Sequence, residues 1–181
     1  MNHLEAIVQI DSIIDNNFCN DIIEIINKKC HEPMTTAGGL DKNMRNVLGL
    51  TLDNKKDKVL YEKINKKIEE LYIYYKFKFK ILYNDKINQI DLLKYDPGGK
   101  YEVHIDTKTD HTRSISVILN LNDDYEGGNL LFTNPMKFSE EIKELKLKRG
   151  TVVFFPSNFM YPHGIQPIIK GTRYSIVSWL Q

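Results

Sequence analysis

Within the stretch VHID a histidine and an aspartate stand two residues apart, His104 and Asp106. On a strand, residues i and i+2 point to one face, so the imidazole and the carboxylate would lie side by side. Such a pair is either a surface salt bridge or two legs of a metal site. A third leg would come from a distant strand, because a compact metal site in a β-core closes across the fold. Of the five histidines, His3 and His31 read as solvent-exposed residues of the N-terminal part; His111, in the loop after the first pair, is within reach of the site but reads rather as a loop residue facing water. His163, at the start of a strand in MYPHGIQP, is the best third leg. Two imidazoles and one carboxylate form the facial donor set of non-haem Fe(II) centres, which leaves positions open for a co-substrate and O2. A structural zinc site would instead close four positions with a set rich in cysteine. Taken alone, HxD plus a remote histidine also arises by accident.

The last strand adds a cation. Arg173 lies ten residues after His163 and follows a Lys-Gly turn, and Ser175 shares its face; Tyr174, Ile176 and Ser178 take the other. An arginine among inward positions of a β-core is costly without an anion partner. Its planar fork suits a carboxylate held at two points. The alternative is an ordinary Arg–carboxylate bridge at the rim of the barrel.

These side chains need a scaffold. AIVQI is a short strand, and NNFCNDIIEIINKKC a helix with Phe18, Ile22 and Ile26 on one face and Asn17 as its cap. Residues 32–53 have no clear period and read as loop. Residues 55–75 form a second helix, with Leu60, Ile64, Ile68, Leu71 and Tyr75 as its apolar stripe. The lysines of 55–80 form a solvated face. In KFKFKILY, Phe77, Phe79 and Ile81 alternate with lysines, which predicts a strand with one wet face. Strand signals then dominate: QIDLLKY, YEVHID, RSISVILNLN, GNLLFTN, GTVVFFPS, HGIQPII and TRYSIVSWL, separated by Gly, Pro and Asp turns. Gly127 and Gly128 read as a turn requiring positive φ. Short strands at this spacing predict a β-sandwich or jelly roll. The helices come first, so they are expected on one face of the β-core, in an α+β layout.

With 181 residues the chain fits one domain over 1–181, with 1–75 mainly helical support and 76–181 the β-core that carries the site. A net charge of +1 gives no electrostatic case for nucleic acid or an acidic membrane surface. No segment approaches the roughly 20 apolar residues of a membrane span, and the N-terminus lacks the pattern of a signal peptide. Two cysteines outside any CxxC point to a reducing compartment, so the expected location is cytoplasmic.

The ordered run YDPGGKYEVHID, TRSISVILNLNDDYEGGNLLF, KRGTVVFFPSNFMYPHG and GTRYSIVSWL resembles the prolyl 4-hydroxylase-type Fe(II)/2-oxoglutarate-dependent dioxygenases. The resemblance covers residues 88–181 closely and the N-terminal segments loosely. It implies a double-stranded β-helix (jelly roll) core. It implies His104, Asp106 and His163 as ligands of Fe(II), with 2-oxoglutarate and O2 as co-substrates and ascorbate as an accessory reductant. Arg173 matches the basic residue that holds the far carboxylate of 2-oxoglutarate, assisted by Ser175. Tyr95 matches a tyrosine that lines the co-substrate pocket. Asn120 falls where some relatives place a second tyrosine toward that carboxylate.

The resemblance further implies hydroxylation of a protein or peptide side chain, with proline the best single guess and succinate and CO2 as products. The competing readings keep the chemistry on a free amino acid, small metabolite or nucleic acid, or retain only a non-catalytic binding module. The nucleic-acid branch carries a second arginine in an RxNxTxR pattern. Here Ser175, Val177 and Trp179 follow Arg173, which disfavours it. Specificity is expected in segments 32–53, 107–112 and 133–146, and Tyr101, Tyr125 and Tyr161 could face the entrance. Trp179 reads as core packing.

Overall fold

The computed structural model describes residues 2–36, 38–82, 85–107 and 113–181. A 3-10 turn (His3–Ala6) and β1 (Val8–Ile10) precede helix α1 (Asn16–Lys29). β2 (Glu32–Pro33), β3 (Arg45–Asn46) and β4 (Leu48–Thr51) lead to helix α2 (Lys58–Phe79). The strands β5 (Ile87–Tyr95), β6 (Lys100–His104), β7 (Ile115–Asn120), β8 (Glu126–Gly127) and β9 (Leu130–Asn134) follow. β10 (Lys137–Leu145), β11 (Thr151–Pro156), β12 (His163–Ile165), β13 (Ile168–Lys170) and β14 (Arg173–Leu180) complete the chain.

Among the described residues the strands form a seven-stranded antiparallel sheet, β1-β11-β7-β14-β5-β4-β2, and a five-stranded one, β10-β9-β12-β6-β3. The period-2 rule sorts the larger sheet into two apolar faces. Val117, Leu119, Val152, Phe154 and Ile176 point to the helices and meet Ile22, Ile26, Ile64 and Ile68. Ile118, Val153 and Phe155 point the other way and meet Leu130, Phe132 and Ile165 of the smaller sheet. This is the expected jelly roll with both helices on one face. β7 and most of β11 are buried on both sides, which is why they carry the apolar runs VIL and VVFF.

Four local expectations are corrected. KFKFKILY is not a strand: α2 runs on to Phe79 and ends at Lys80, whose φ of 53° is left-handed. Tyr75 and Phe79, four apart, bring their rings to 4.7 Å, while Phe77 is 88% exposed. The helical i, i+4 contact therefore outweighs an alternation that has no sheet to join. Residues 32–53 are not all loop, because β2, β3 and β4 pair with the two sheets. The strands of the β-core are thus not confined to 76–181. The cap of α1 is Asp15, whose carboxylate accepts from the Phe18 amide at 2.8 Å, and not Asn17. HGIQPII divides into β12 and β13, which join different sheets.

Candidate metal and co-substrate site

β12 runs antiparallel between β9 and β6, with His163 in register with His104. Gly164 permits the close approach: a Cβ there would lie 2.8 Å from the Tyr101 carbonyl oxygen. Asp106 follows the end of β6, and its chain is tied down where Thr107 donates twice to the Ser157 carbonyl, at 3.0 and 2.8 Å.

The three groups converge. Asp106 Oδ1 lies 3.5 Å from His104 Nε2, and Asp106 Oδ2 lies 3.4 Å from His163 Nε2. One ligand atom from each of the three residues lies within 4.8 Å of the other two. The Nδ1 atoms of His104 and His163 lie 2.8 and 3.1 Å from the carbonyls of Glu102 and Tyr161. Donation there places each ring proton on Nδ1 and leaves both Nε2 lone pairs for a metal. Burial pushes His163 down to about 4, against the opposing pull of Asp106, so the ring is neutral. Burial opposes the charge on Asp106, but His163, His104 and the Ser116 hydroxyl together hold its carboxyl well below the usual range. Three converging N/O donors, two of them buried, suit Fe(II).

Arg173 is 1% exposed. Its Nη1 donates to Ser175 Oγ at 3.4 Å, while Nε and Nη2 have no hydrogen-bond partner among the described residues. Gly128, with φ +64°, packs beside it: a Cβ there would collide with Ile168 Cδ1 and lie 3.3 Å from Arg173 Cδ. The guanidinium carbon lies 5.2 Å from the centre of the Tyr95 ring. Tyr95 lines a cavity of about 580 Å³ that also reaches His104, Asp106 and His163. Burial pushes the Tyr95 phenol up, against the pull of Arg173, so it stays a protonated donor. A buried guanidinium with two unpartnered nitrogens is the complement of a carboxylate, and this is the fit that 2-oxoglutarate requires. Leu93, Ile118 and Val177 give the cavity an apolar patch; Phe155 presses edge-on against His163 at 4.6 Å between ring centres.

Asn120 does not serve as expected. Its Nδ2 points at the carbonyls of Asn122, Leu147 and Lys148, at 2.6, 3.2 and 3.2 Å, and its Oδ1 accepts from the Tyr125 hydroxyl at 3.3 Å. The amide is committed to the turn before β11 and has no donor to spare. Trp179 belongs to neither apolar cluster. Its ring lines the cavity under the Arg113 guanidinium, 3.7 Å away, and its indole N–H has no partner among the described residues. Tyr101 stacks on His104 at 3.6 Å, while Tyr161 donates to the His3 carbonyl. His111 and residues 108–112 as a whole lie outside the described residues. Segment 133–146 is mostly the β9–β10 hairpin.

Sequence reasoning missed Ser116, which donates to Asp106 Oδ2 at 2.6 Å and lies 2.8 Å from Ser157 Oγ. It also missed Arg45, Asp91 and Arg113, all buried in the cavity wall. A signal existed for two of them: Ser116 stands between Ile115 and Val117, and Asp91 between Ile90 and Leu92, each a polar residue with apolar neighbours on both sides.

Comparison with known proteins agrees with this geometry. The family model described as "2OG-Fe(II) oxygenase superfamily" matches residues 90–181. A PKHD-type hydroxylase from Synechococcus sp. (strain CC9605) is 29% identical over 100 residues, 53% of this chain and 43% of that protein. Human prolyl 3-hydroxylase 2 is 36% identical over 67 residues, 37% of this chain and 9% of that protein. The chain therefore spans less than half the length of these relatives. Among solved structures, a Trichoplax adhaerens prolyl hydroxylase in complex with a hypoxia-inducible-factor peptide has a TM-score of 0.76 at 16% identity, covering 99% of this chain and 86% of that one. A Pseudomonas putida prolyl-4-hydroxylase has a TM-score of 0.74 at 17% identity, covering 99% and 96%. At these identities the structures establish the shared fold.

Proposed function

The chain belongs to the 2OG-Fe(II) oxygenase superfamily, and from that membership we propose that it hydroxylates a prolyl side chain in a protein or peptide. The observation that carries this reading is the convergence of His104, Asp106 and His163 beside a cavity whose Tyr95 wall packs on the Arg173 guanidinium, Nε and Nη2 of which have no partner among the described residues. In the overall reaction a C–H bond of the substrate becomes C–OH, O2 supplies one oxygen to that hydroxyl and one to succinate, and 2-oxoglutarate loses CO2. Iron, when bound, supplies the activation of O2.

The chain's own residues bind, orient and exclude water. His104, Asp106 and His163 would hold the metal through two Nε2 atoms and one carboxylate, leaving the remaining positions to small molecules. Ser116 fixes the Asp106 rotamer, and the Glu102 and Tyr161 carbonyls fix the two rings. Arg173 would take the far carboxylate of 2-oxoglutarate, with the Ser175 hydroxyl beside it. Leu93, Ile118 and Val177 supply the apolar part of the cavity wall. Proline as the target is supported by the prolyl hydroxylases among relatives and structural neighbours. A cytoplasmic location is part of the proposal, supported by Cys19 and Cys30, both free thiols; among the described residues no helix is long and apolar enough to cross a membrane.

The test is succinate release with Fe(II) and 2-oxoglutarate over proline peptides, free amino acids and oligonucleotides. Turnover is expected with proline peptides and is expected to vanish in His104→Ala. Stimulation by oligonucleotides alone would remove the prolyl assignment, and turnover that survives His104→Ala would remove the metal site.

A further inference from the structure

Beside its apolar residues the cavity wall carries buried charge that the reaction outlined above does not use; Asp91, for one, pairs with Val177 across β5 and β14. Arg113, 8% exposed, donates from Nη1 to the Asp106 carbonyl at 3.3 Å and from Nη2 to Gln89 Oε1 at 3.0 Å. Gln89 Nε2 donates to Asp91 Oδ1 at 2.8 Å, and Thr51 Oγ1 donates to the same oxygen at 2.7 Å. Arg45, also 8% exposed, donates from Nη1 to the Thr35 carbonyl at 2.9 Å, and its Nη2 stands 4.0 Å from Asp91 Oδ2. That separation is too long for a hydrogen bond. One polar band therefore runs from Arg113 beside the metal ligands to Arg45 over the Tyr101 ring.

Two features of this band are unsatisfied. Arg45 Nε, Arg113 Nε and the Trp179 indole N–H are buried donors with no acceptor among the described residues. A buried donor left alone is costly, so three at one cavity indicate a ligand that brings acceptors. The charge is unbalanced as well. Fe(II), Asp106, dianionic 2-oxoglutarate and Arg173 would sum to zero, whereas among the described residues that line the cavity Arg45 and Arg113 oppose one further carboxylate, Asp91. Among these groups one buried positive charge remains. Peptide carbonyls would fill the donors but would not neutralise it.

We infer that this cavity selects a substrate bearing a carboxylate beside the group to be hydroxylated, received between Arg45 and Arg113. The inference rests on the hydroxylase reading and deepens it. The carboxylate could be an acidic side chain next to proline, a peptide C-terminus, or the α-carboxylate of a free amino acid; the chemistry is shared and the experiment separates the sources.

Trp179 is the only tryptophan and carries Arg113 on its ring, so its fluorescence reports on occupancy. Protein loaded with Mn(II) and 2-oxoglutarate, without O2, is titrated with matched pairs. These are proline peptides with Asp or Asn beside the proline, the same peptide ending in acid or amide, and free proline or prolinamide. The acid member of at least one pair is expected to bind about tenfold or more tighter. Arg45→Gln and Arg113→Gln should each reduce that preference, while Arg45→Lys and Arg113→Lys, which keep the charge, retain part of it. The pair that discriminates names the source. Equal affinity within every pair, no binding by any acid member, or a preference that survives both glutamine changes overturns the inference. Failure of the hydroxylase reading is seen separately, as no succinate in the turnover assay, whatever the fluorescence shows.

Discussion

Asp106 is 6% exposed, and taking a carboxylate out of water raises its cost unless its oxygens are occupied. Here one oxygen faces His104 and the other faces His163 and Ser116. Ser116 is a positioning residue: it touches the ligand and would not touch the metal. Ser116→Ala should weaken metal binding about 10–100-fold, measured by Co(II) titration of the d–d absorption, and should change the Co(II) spectrum. Ser116→Thr, which keeps the hydroxyl, should recover most of the affinity. An alanine variant with unchanged affinity and spectrum would reduce Ser116 to core packing. The same logic explains why Asn120 fails as a ligand residue. Three carbonyls surround its amide, and a donor already spent on a turn is not available to a co-substrate.

At the scale of elements, the metal site depends on the separation of β6 and β12. Gly164 sets that separation by lacking a Cβ, because the Tyr101 carbonyl occupies the space a methyl group would need. Gly164→Ala should push β12 off β6, cost about 1–3 kcal/mol in thermal or chemical unfolding, and lower metal affinity by at least about tenfold. Loss of stability without loss of metal affinity would show that the strand pair tolerates the shift. Helix α2 shows the reverse case, in which local pattern misleads. The alternating Lys-Phe run suits a strand by period, yet it continues a helix already begun and turns Phe77 outward. Short alternations cannot be told from helix ends until the neighbouring packing is known.

For the whole molecule, the helix-facing core contributes to how stability responds to alkali. Cys30 lies in that core with no exposed surface, and its Sγ approaches the Leu92 carbonyl at 3.7 Å. Burial pushes its thiol up to about 11, from an ordinary value near 9. A raised value means the folded state keeps the proton longer than the unfolded chain. The contribution is therefore complete below pH 9 and is lost as pH rises from 9 to 11, on the order of 2 kcal/mol. Urea unfolding across this range should show the decline, and Cys30→Ala should show a smaller one. Native protein at pH 8 should resist iodoacetamide at Cys30 and react once unfolded. Rapid native alkylation there would contradict the burial.

Much of the site was legible in the chain because its determinants are local or ordered along it. His104 and Asp106 declare a shared face by their spacing, His163 and Arg173 stand at strand starts, and the apolar runs of β7 and β11 announce a core buried on both sides. Tertiary structure alone decided which polar groups meet. Arg45, Asp91 and Arg113 come from three separate segments, and it is the fold that lays the Arg113 guanidinium on the Trp179 ring. Their hydrogen bonds and uncompensated charge arise from long-range pairing across the two sheets, a relation of positions in space that local spacing does not encode.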